Sequence, residues 1–392
     1  MMTVGVCGPI DLNLLHWNVP KGTLPPTNAF PLTSYFINAL LRSGYKVIGY
    51  TNSRDVSEPT VVESGNLTIC ISREKPQMGR RFFKFEIEDL KRIIQAHPAD
   101  VISAFWTYEY ALAALGSGIP TIANIHDVAS KILLKQPDMF RLVRWFMNNK
   151  VMQQSCTLVA NSDYTYSQLS ASTKEKTTVI PNFYPAGLEG IRQAVKHKGN
   201  YIISSSNGFT KRKNIHLALE AFQILRKVFP DLQYHLIGVD MEENGPAHQY
   251  ASARGLADAV HFVGPLPYDR TLKEVANAKV LLCSSMEESF GMAILEAMVV
   301  GTAVVGGEKS GYVPSLVDKG KAGVLCNIYS PDSMADAVAL LLGNKALRER
   351  YERAAANFAQ EHFSEDVVIP QHLALLSKHV AVPVNHTQTF TV

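Results

Sequence analysis

Glu288 and Glu296 stand with seven residues between them in the stretch Val280-Leu-Leu-Cys-Ser-Ser-Met-Glu-Glu-Ser-Phe-Gly-Met-Ala-Ile-Leu-Glu-Ala-Met. An apolar run over 280–283 reads as a buried strand. A polar loop follows, then Gly291, then a helix from about Met292 that Gly301 ends. Glu288 falls at the mouth of the loop and Glu296 one turn into the helix. The N–H groups of Phe290, Gly291 and Met292 lie at the helix start, where unpaired donors and the positive end of the dipole favour an anion. Gly291 lets a ligand approach the backbone closely. The chemistry on offer is anion binding beside two carboxylates. Two other readings compete with it. The pair could be a loop acid and a first-turn acid favoured by the dipole alone. It could be a glycosidase pair, which needs carboxyls ~5–9.5 Å apart and one raised pKa; the sequence around them offers nothing to raise one.

Two further groups could act with this segment. Lys211-Arg-Lys213 follows a strand-like run from Tyr201 and opens the next helical stretch. Alone it is a solvated helix start; in that slot Lys213 could meet a phosphate. His126-Asp127 closes another apolar run, 119–125, where a lone histidine is more often capped or buried than catalytic. The remaining histidines lack metal-ligand spacing, and there is no Asp-x-Asp triplet to hold a divalent ion beside phosphates.

The elements that would position these residues alternate. Strand-like runs at 4–7, 46–50, 100–105, 119–125, 157–160 and 177–180 are separated by helix-length stretches, the first over 32–43 with Gly44 as its left-handed cap. After a glycine-bearing stretch at 183–200 the logic repeats, with strands from 201 and at 232–236, 260–263, 280–283, 303–305 and 323–326. Strands joined by helical crossovers imply parallel sheets covered on both faces. The expectation is two doubly wound domains, 1–190 and 191–365, with a helix at 366–380 packing back on the first domain and a frayed tail at 381–392. Such sheets bind ligands beyond the carboxyl ends of their strands, so two facing each other make a cleft.

Composition fits a globular chain: 46% hydrophobic, 19% charged, formal charge +3. That charge is too small to make nucleic acid the default partner. It is uneven, with 21 basic and 15 acidic residues in 1–200 against 17 and 20 in 201–392. Five separated cysteines without a CxxC pair exclude a disulfide scaffold and suit a reducing cytosol. No apolar run approaches the ~20 residues of a membrane helix, and Met1-Met-Thr-Val lacks a signal peptide's basic start. The expected location is cytoplasmic, with peripheral contact at the inner face of a membrane as an option.

Glu288-Ser-Phe-Gly-x-x-x-Leu-Glu296-Ala-Met between two strands resembles the signature of family-4 retaining glycosyltransferases of the GT-B fold. Further marks fall in the family's order: Ile125-His126-Asp127, Ala160-Asn-Ser-Asp-Tyr, Val179-Ile-Pro-Asn182, Lys211-Arg-Lys-Asn214 with Ala221-Phe222, Phe262-Val-Gly-Pro-Leu, and Ser310-Gly311 before Pro314. The resemblance implies an α/β GT-B enzyme, two Rossmann-like domains facing across a cleft with C-terminal helices. It would move a sugar from a nucleotide-sugar to a glycan, lipid-linked or small-molecule acceptor, with retention, front-face attack and no metal or other cofactor. Glu296 would bind the ribose hydroxyls. Glu288 would contact the transferred sugar with the Phe290, Gly291 and Met292 amides. Lys213 would neutralise the departing diphosphate, Pro265 and Leu266 would lie by the base, and His126 would face sugar and acceptor across the cleft. A nucleotide-sugar-binding protein without turnover and a nucleotide-sugar hydrolase are the alternatives.

This chain departs from the family pattern in three places. The arginine that many members carry five or six residues before the phosphate-binding lysine is replaced by Gly208 and Asn207; Arg212 or Lys211 could supply the charge, although adjacency to Lys213 points them elsewhere. The first loop has Gly22-Thr-Leu-Pro-Pro in place of Gly-Gly, leaving Gly22 as the candidate to close over the phosphates. The glutamate after the proline of the second-domain glycine loop is Ser315.

Two basic-aromatic stretches remain, Arg80-Arg-Phe-Phe-Lys-Phe85 and 131–150. The second has five basic residues against one acid, Asp138. If helical, Phe140, Val143, Arg144 and Met147 share one face and Arg141 and Trp145 another. Such a helix could lie on an anionic membrane interface or pack its aromatics inward with solvated arginines.

Overall fold

The computed structural model describes residues 2–154 and 156–380; the expectation for 381–392 lies outside them. The first sheet contains β1 (Thr3–Cys7), β2 (Lys46–Ser53), β3 (Thr60–Ser64), β4 (Leu67–Arg73), β5 (Val101–Phe105), β6 (Thr121–Ile125), β7 (Thr157–Ala160) and β8 (Thr177–Val179), in the order β3-β4-β2-β1-β5-β6-β7-β8. The second contains β9 (Tyr201–Ser205), β10 (Gln233–Ile237), β11 (Val260–Gly264), β12 (Val280–Cys283), β13 (Ala303–Gly307) and β14 (Val324–Cys326), in the order β11-β10-β9-β12-β13-β14. All pairings in the second sheet are parallel.

The alternation reading passed over β3 and β4. They form an antiparallel hairpin at the sheet edge, with Thr60 opposite Ile71 and Ser64 opposite Leu67. Only Gly65 and Asn66 join them, far too few residues for a parallel crossover. Gly65 takes the positive φ that so tight a turn needs.

Both sheets are buried on two faces, and side-chain alternation sorts each strand between two apolar clusters. In the second sheet Ile203, Leu281 and Val304 join one cluster; Ile202, Val280, Leu282 and Val305 join the other. In the first, Val101, Ile122 and Val159 face one way and Ile102, Ala123 and Leu158 the other. Strands buried on both sides read as continuous apolar runs, which is why they were visible in the sequence.

The helix Lys345–Phe363 packs on the second sheet's side, its Ala355, Ala359 and Phe363 buried with Leu295 and Met298. The chain then crosses over. Val368, Ile369 and Leu376 of the helix Glu365–Val380 are buried with Val4, Leu32 and Phe36 of the first domain. Glu365 anchors the crossing by pairing with Arg42 and accepting the Ala186 N–H at 3.1 Å. The last helix therefore ties the two sheets together.

Candidate active site

Strand β12 delivers the loop 284–291 to the edge where the two sheets face each other. Gly291 caps the helix Met292–Val299 with φ 105°, a conformation open to glycine and strained for other residues. Its carbonyl accepts the Ile294 and Leu295 N–H groups at 3.0 and 3.1 Å. Among the described residues, no protein acceptor takes the N–H groups of Phe290, Gly291 or Met292. The Phe290 ring is not part of the opening. It is buried against Tyr312 and Phe363, at 5.3 and 5.5 Å between centroids, so Phe290 can offer a ligand only its backbone.

A second loop is stitched to the first. Met286 N–H donates to the Arg212 carbonyl at 2.8 Å, Ser284 Oγ to the Lys213 carbonyl at 2.9 Å, and Arg212 Nη1 to the Glu287 carbonyl at 3.1 Å. These contacts bring Lys213 Nζ to 2.7 Å from Glu288 Oε1. Burial would raise the Glu288 carboxyl, but Lys213 and Arg212 outweigh it and hold the group below the usual carboxylate range. Arg212 thus shares the Glu288 site with Lys213. Adjacency does not send them apart, because both residues lie in the turn before the helix Ile215–Arg226, not on the helix itself. Asn207 and Gly208 supply no charge. Asn207 Oδ1 accepts the Val239 N–H at 3.1 Å, and Gly208 N–H donates to the Val239 carbonyl at 3.0 Å.

Gly311 closes against this cluster from behind. A Cβ there would lie 2.2 Å from the Glu288 carbonyl oxygen, and its φ is 61°. Only glycine allows so close an approach. The neighbouring Tyr312 N–H then donates to that same carbonyl at 2.9 Å.

Glu296 sits in the first turn and a half of the helix and accepts a hydrogen bond from Tyr268 Oη at 2.8 Å. Burial raises its carboxyl to about 7, against the opposing effect of that bond. Nothing in the flanking sequence had suggested a raised pKa; the cause is burial in the assembled fold, with the helix Tyr268–Asn277 beside it. Pro265 and Leu266 lead into that helix, Pro265 exposed and Leu266 packed against the core. Tyr268 also meets Tyr35 of the first domain, at 5.8 Å between ring centroids. A phenol pair therefore spans the cleft beside Glu296.

The domains also touch beside the 284–291 loop. Ser162 Oγ donates to the Ser289 carbonyl at 2.6 Å, Ser289 Oγ donates to the His126 carbonyl, and Tyr164 Oη donates to Glu287 Oε1 at 2.5 Å. His126 reaches the second domain by its backbone. Its ring stacks on Phe105 at 5.2 Å and meets Phe30 edge-on at 5.7 Å. Burial, with His372 nearby, lowers the imidazole to about 3, so it is neutral. Both ring nitrogens lack a hydrogen-bond partner among the described residues.

Asp127 is the member of the His126-Asp127 pair that faces the charges. Burial raises its carboxyl, Arg144 and Arg212 pull it down, and Glu288 pushes it up again. Tyr108 Oη lies 3.3 Å from Oδ2. Beside it a groove of about 560 Å³ opens, lined in part by Trp145, Asn148, Asn149, Thr165 and Gln168. Sequence reasoning missed the roles of Asp127, Tyr268 and Tyr35; the His-Asp dipeptide pointed at the first, and no local signal marks the two tyrosines.

Gly22 stands apart. It occupies an exposed turn with φ 78°, with nothing within 4 Å of a Cβ placed there, on a separate cavity of about 450 Å³ formed by the first loop. The structure therefore brings together Lys213, Arg212, Glu288 and the 290–292 amides, with Glu296 further along the helix against Tyr268. Gly22 is not brought to them.

Two family descriptions match consecutive parts of the chain: "Glycosyltransferase Family 4" over residues 32–186 and "Glycosyl transferases group 1" over 189–358. The N-acetyl-alpha-D-glucosaminyl L-malate synthase of Bacillus anthracis is 23% identical over 299 residues, spanning 72% of this chain and 76% of that protein. Among solved structures, sucrose-phosphate synthase from Thermosynechococcus elongatus superposes with TM-score 0.76 at 16% identity, covering 96% of this chain and 99% of that one. Anabaena HepE, solved with UDP and glucose, gives 0.68 at 17% identity, covering 96% and 100%.

Proposed function

Because the chain belongs to the family-4 glycosyltransferases of the GT-B fold, we propose that it moves a sugar from a nucleotide-sugar to an acceptor hydroxyl with retention at the anomeric carbon. The observation that carries this reading is the Lys213–Glu288 pair at 2.7 Å beside Arg212 and the Gly291-capped helix. Lys213 and Arg212 would bind the diphosphate and stabilise the charge it gains on leaving. The 290–292 amides and Glu288 would orient the sugar, and Glu296 would hold the ribose hydroxyls. Pro265 and Leu266 would lie beside the base. His126, neutral in its apolar bed, would offer a hydrogen bond and not act as a charged acid. The acceptor would enter from the first-domain side, near Asp127. With two cations supplied by the protein, the leaving group would need no metal.

A second reading draws on Glu288 and Glu296 being pushed in opposite directions, the pattern of an acid/base pair. On that reading the enzyme would hydrolyse the donor.

The test starts with thermal-shift measurements on UDP, GDP, ADP and dTDP sugars, with and without EDTA. At about 100 times Kd, linkage gives ~2.7 kcal/mol of stabilisation. One nucleotide shifting the melt regardless of EDTA is expected. No shift with any of them would sink the donor site. Product analysis by NMR then separates transfer with an α-to-α or β-to-β outcome from release of free sugar.

A further inference from the structure

Among the described residues, five of the eleven exposed large hydrophobics fall between positions 82 and 146: Phe82, Leu134, Met139, Phe140 and Phe146. Single exposed apolar residues are ordinary; a contiguous group of this size is not. The elements that carry these five, or lead directly into them, pack on one another. Phe82 belongs to the turn that precedes Phe83, and Phe83 meets Phe140 at 5.9 Å. Leu134 ends the helix Ala129–Lys135, and Met139 opens the next, Met139–Met152, after a three-residue link. Phe146 lies two turns further on.

The helix Met139–Met152 departs from the reading that packs its aromatics inward and leaves its arginines in water. Val143, Met147 and Val151 are buried, and Arg144 turns inward with them, 4.4 Å over the Tyr108 ring and paired with Glu109 at 3.3 Å. Phe146 turns outward, 55% exposed, in line with Met139 at 69%. A cation is turned inward and half-buried while aromatic and thioether groups face out, the reverse of a face built for water.

Around this ridge stand Arg81, Lys84, Lys131, Arg141 and Lys150, all exposed or half-exposed. Of these five only Arg141 has a carboxylate partner among the described residues, Asp138. The window 129–150 carries five basic residues and that one acid. An apolar ridge inside a basic border matches an interface of acyl chains beneath anionic headgroups. It does not match a mixed-charge protein surface.

The ridge is also next to the cleft. The helix Ala129–Lys135 begins two residues after Asp127, and seven residues of helix span about 10 Å. At its far end Lys135 Nζ donates to Tyr329 Oη of the second domain at 3.2 Å, so the ridge runs along the rim where the domains meet.

We propose that this ridge, carrying Phe82, Leu134, Met139 and Phe146, seats on an anionic lipid surface and that the acceptor hydroxyl belongs to a molecule held in that surface. The acceptor part rests on the reading of the Lys213–Glu288 cluster as the donor site; the lipid contact does not.

The test is flotation of the full chain with vesicles of phosphatidylglycerol or of phosphatidylcholine, at low and high salt. The expected result is binding to phosphatidylglycerol, weakened by salt, and little binding to phosphatidylcholine. The triple variant Leu134→Ser, Met139→Ser, Phe146→Ser should bind roughly a hundredfold more weakly. Lys131→Glu should lose about fivefold or more. Both variants change exposed or half-exposed side chains and should keep the wild-type melting temperature and its shift with the donor nucleotide. A lost nucleotide shift in the wild type with vesicle binding intact would remove the donor reading and leave the ridge. Failure to float with either vesicle, equal binding to both, or full binding by the triple variant would overturn the proposal. So would a wild-type dimer in light scattering that the triple variant converts to monomer without any vesicle binding.

Discussion

Replacing Glu296 by glutamine should make the protein more stable and worse at its work. Burial lifts the Glu296 carboxyl from an ordinary 4.5 to about 7. Between those values the folded chain keeps a proton that the unfolded chain has released, so stability falls as pH rises through the window and levels off above about pH 7. At about 1.4 kcal/mol per pH unit, the penalty grows from under about 1 kcal/mol at pH 5 to about 3 kcal/mol at pH 8. Glutamine keeps an oxygen for the Tyr268 hydroxyl, now 2.8 Å away, and never ionises. Denaturant titrations should therefore find the two proteins nearly equal at pH 5 and Glu296→Gln more stable by up to about 3 kcal/mol at pH 8. The same substitution removes a charged acceptor from the ribose hydroxyls. Hydrogen bonds to charged groups contribute roughly 1.5–3 kcal/mol each, so donor affinity should drop by about tenfold or more at pH 8. A variant no more stable than wild type at pH 8 would refute the buried-carboxylate argument. Unchanged nucleotide affinity, measured by calorimetry, would refute the ribose assignment.

Lys213→Ala should lower kcat by about 10²–10³-fold, the scale of losing one transition-state charge partner, and steady-state kinetics that move only KM would count against a role in leaving-group departure. Phe290→Ala removes a fully buried ring between Tyr312 and Phe363 and should cost about 3–5 kcal/mol of stability; an unaltered melting curve would show that the ring is not core. His372 and His126 are held neutral at about 4 and about 3, both by burial first. The unfolded chain takes up their protons below about pH 6.5, so stability present above that pH is lost as pH falls towards 4, by about 1.4 kcal/mol per unit for each histidine. His372→Phe, which keeps a ring beside Phe36, should reduce that slope by about half, and an identical acid transition in both proteins would exclude His372 as a cause.

Much of this architecture was legible in the chain. The apolar runs at 280–283 and 303–305 announce themselves because parallel strands covered on both faces must be apolar throughout. Glycines at 44, 291 and 301 adopt the left-handed conformations that mark helix ends in the sequence. The hairpin of β3 and β4 was hidden because two residues join its strands, where the alternation looks for a helix-length crossover, and because β3 lies at an edge, where the burial alternates. The carboxylates and Lys213 could be named from local pattern, since a loop between a strand and a helix start can place an anion site by itself.

What the sequence could not decide is what those groups feel. Glu288 is held ionised because a loop 75 residues earlier in the chain delivers two cations to it, and Glu296 is pushed up because the assembled fold buries it, beside a Tyr268–Tyr35 pair drawn from different domains. His126 and Asp127 exchange the emphasis that sequence gives them: one ring is buried among aromatics, while the neighbouring carboxyl shares a field with Arg144, Arg212 and Glu288. Local sequence sets backbone conformation and therefore which groups stand at a loop or a helix start. Electrostatics and burial depend on everything within several ångströms, and only the folding of distant segments together determines that.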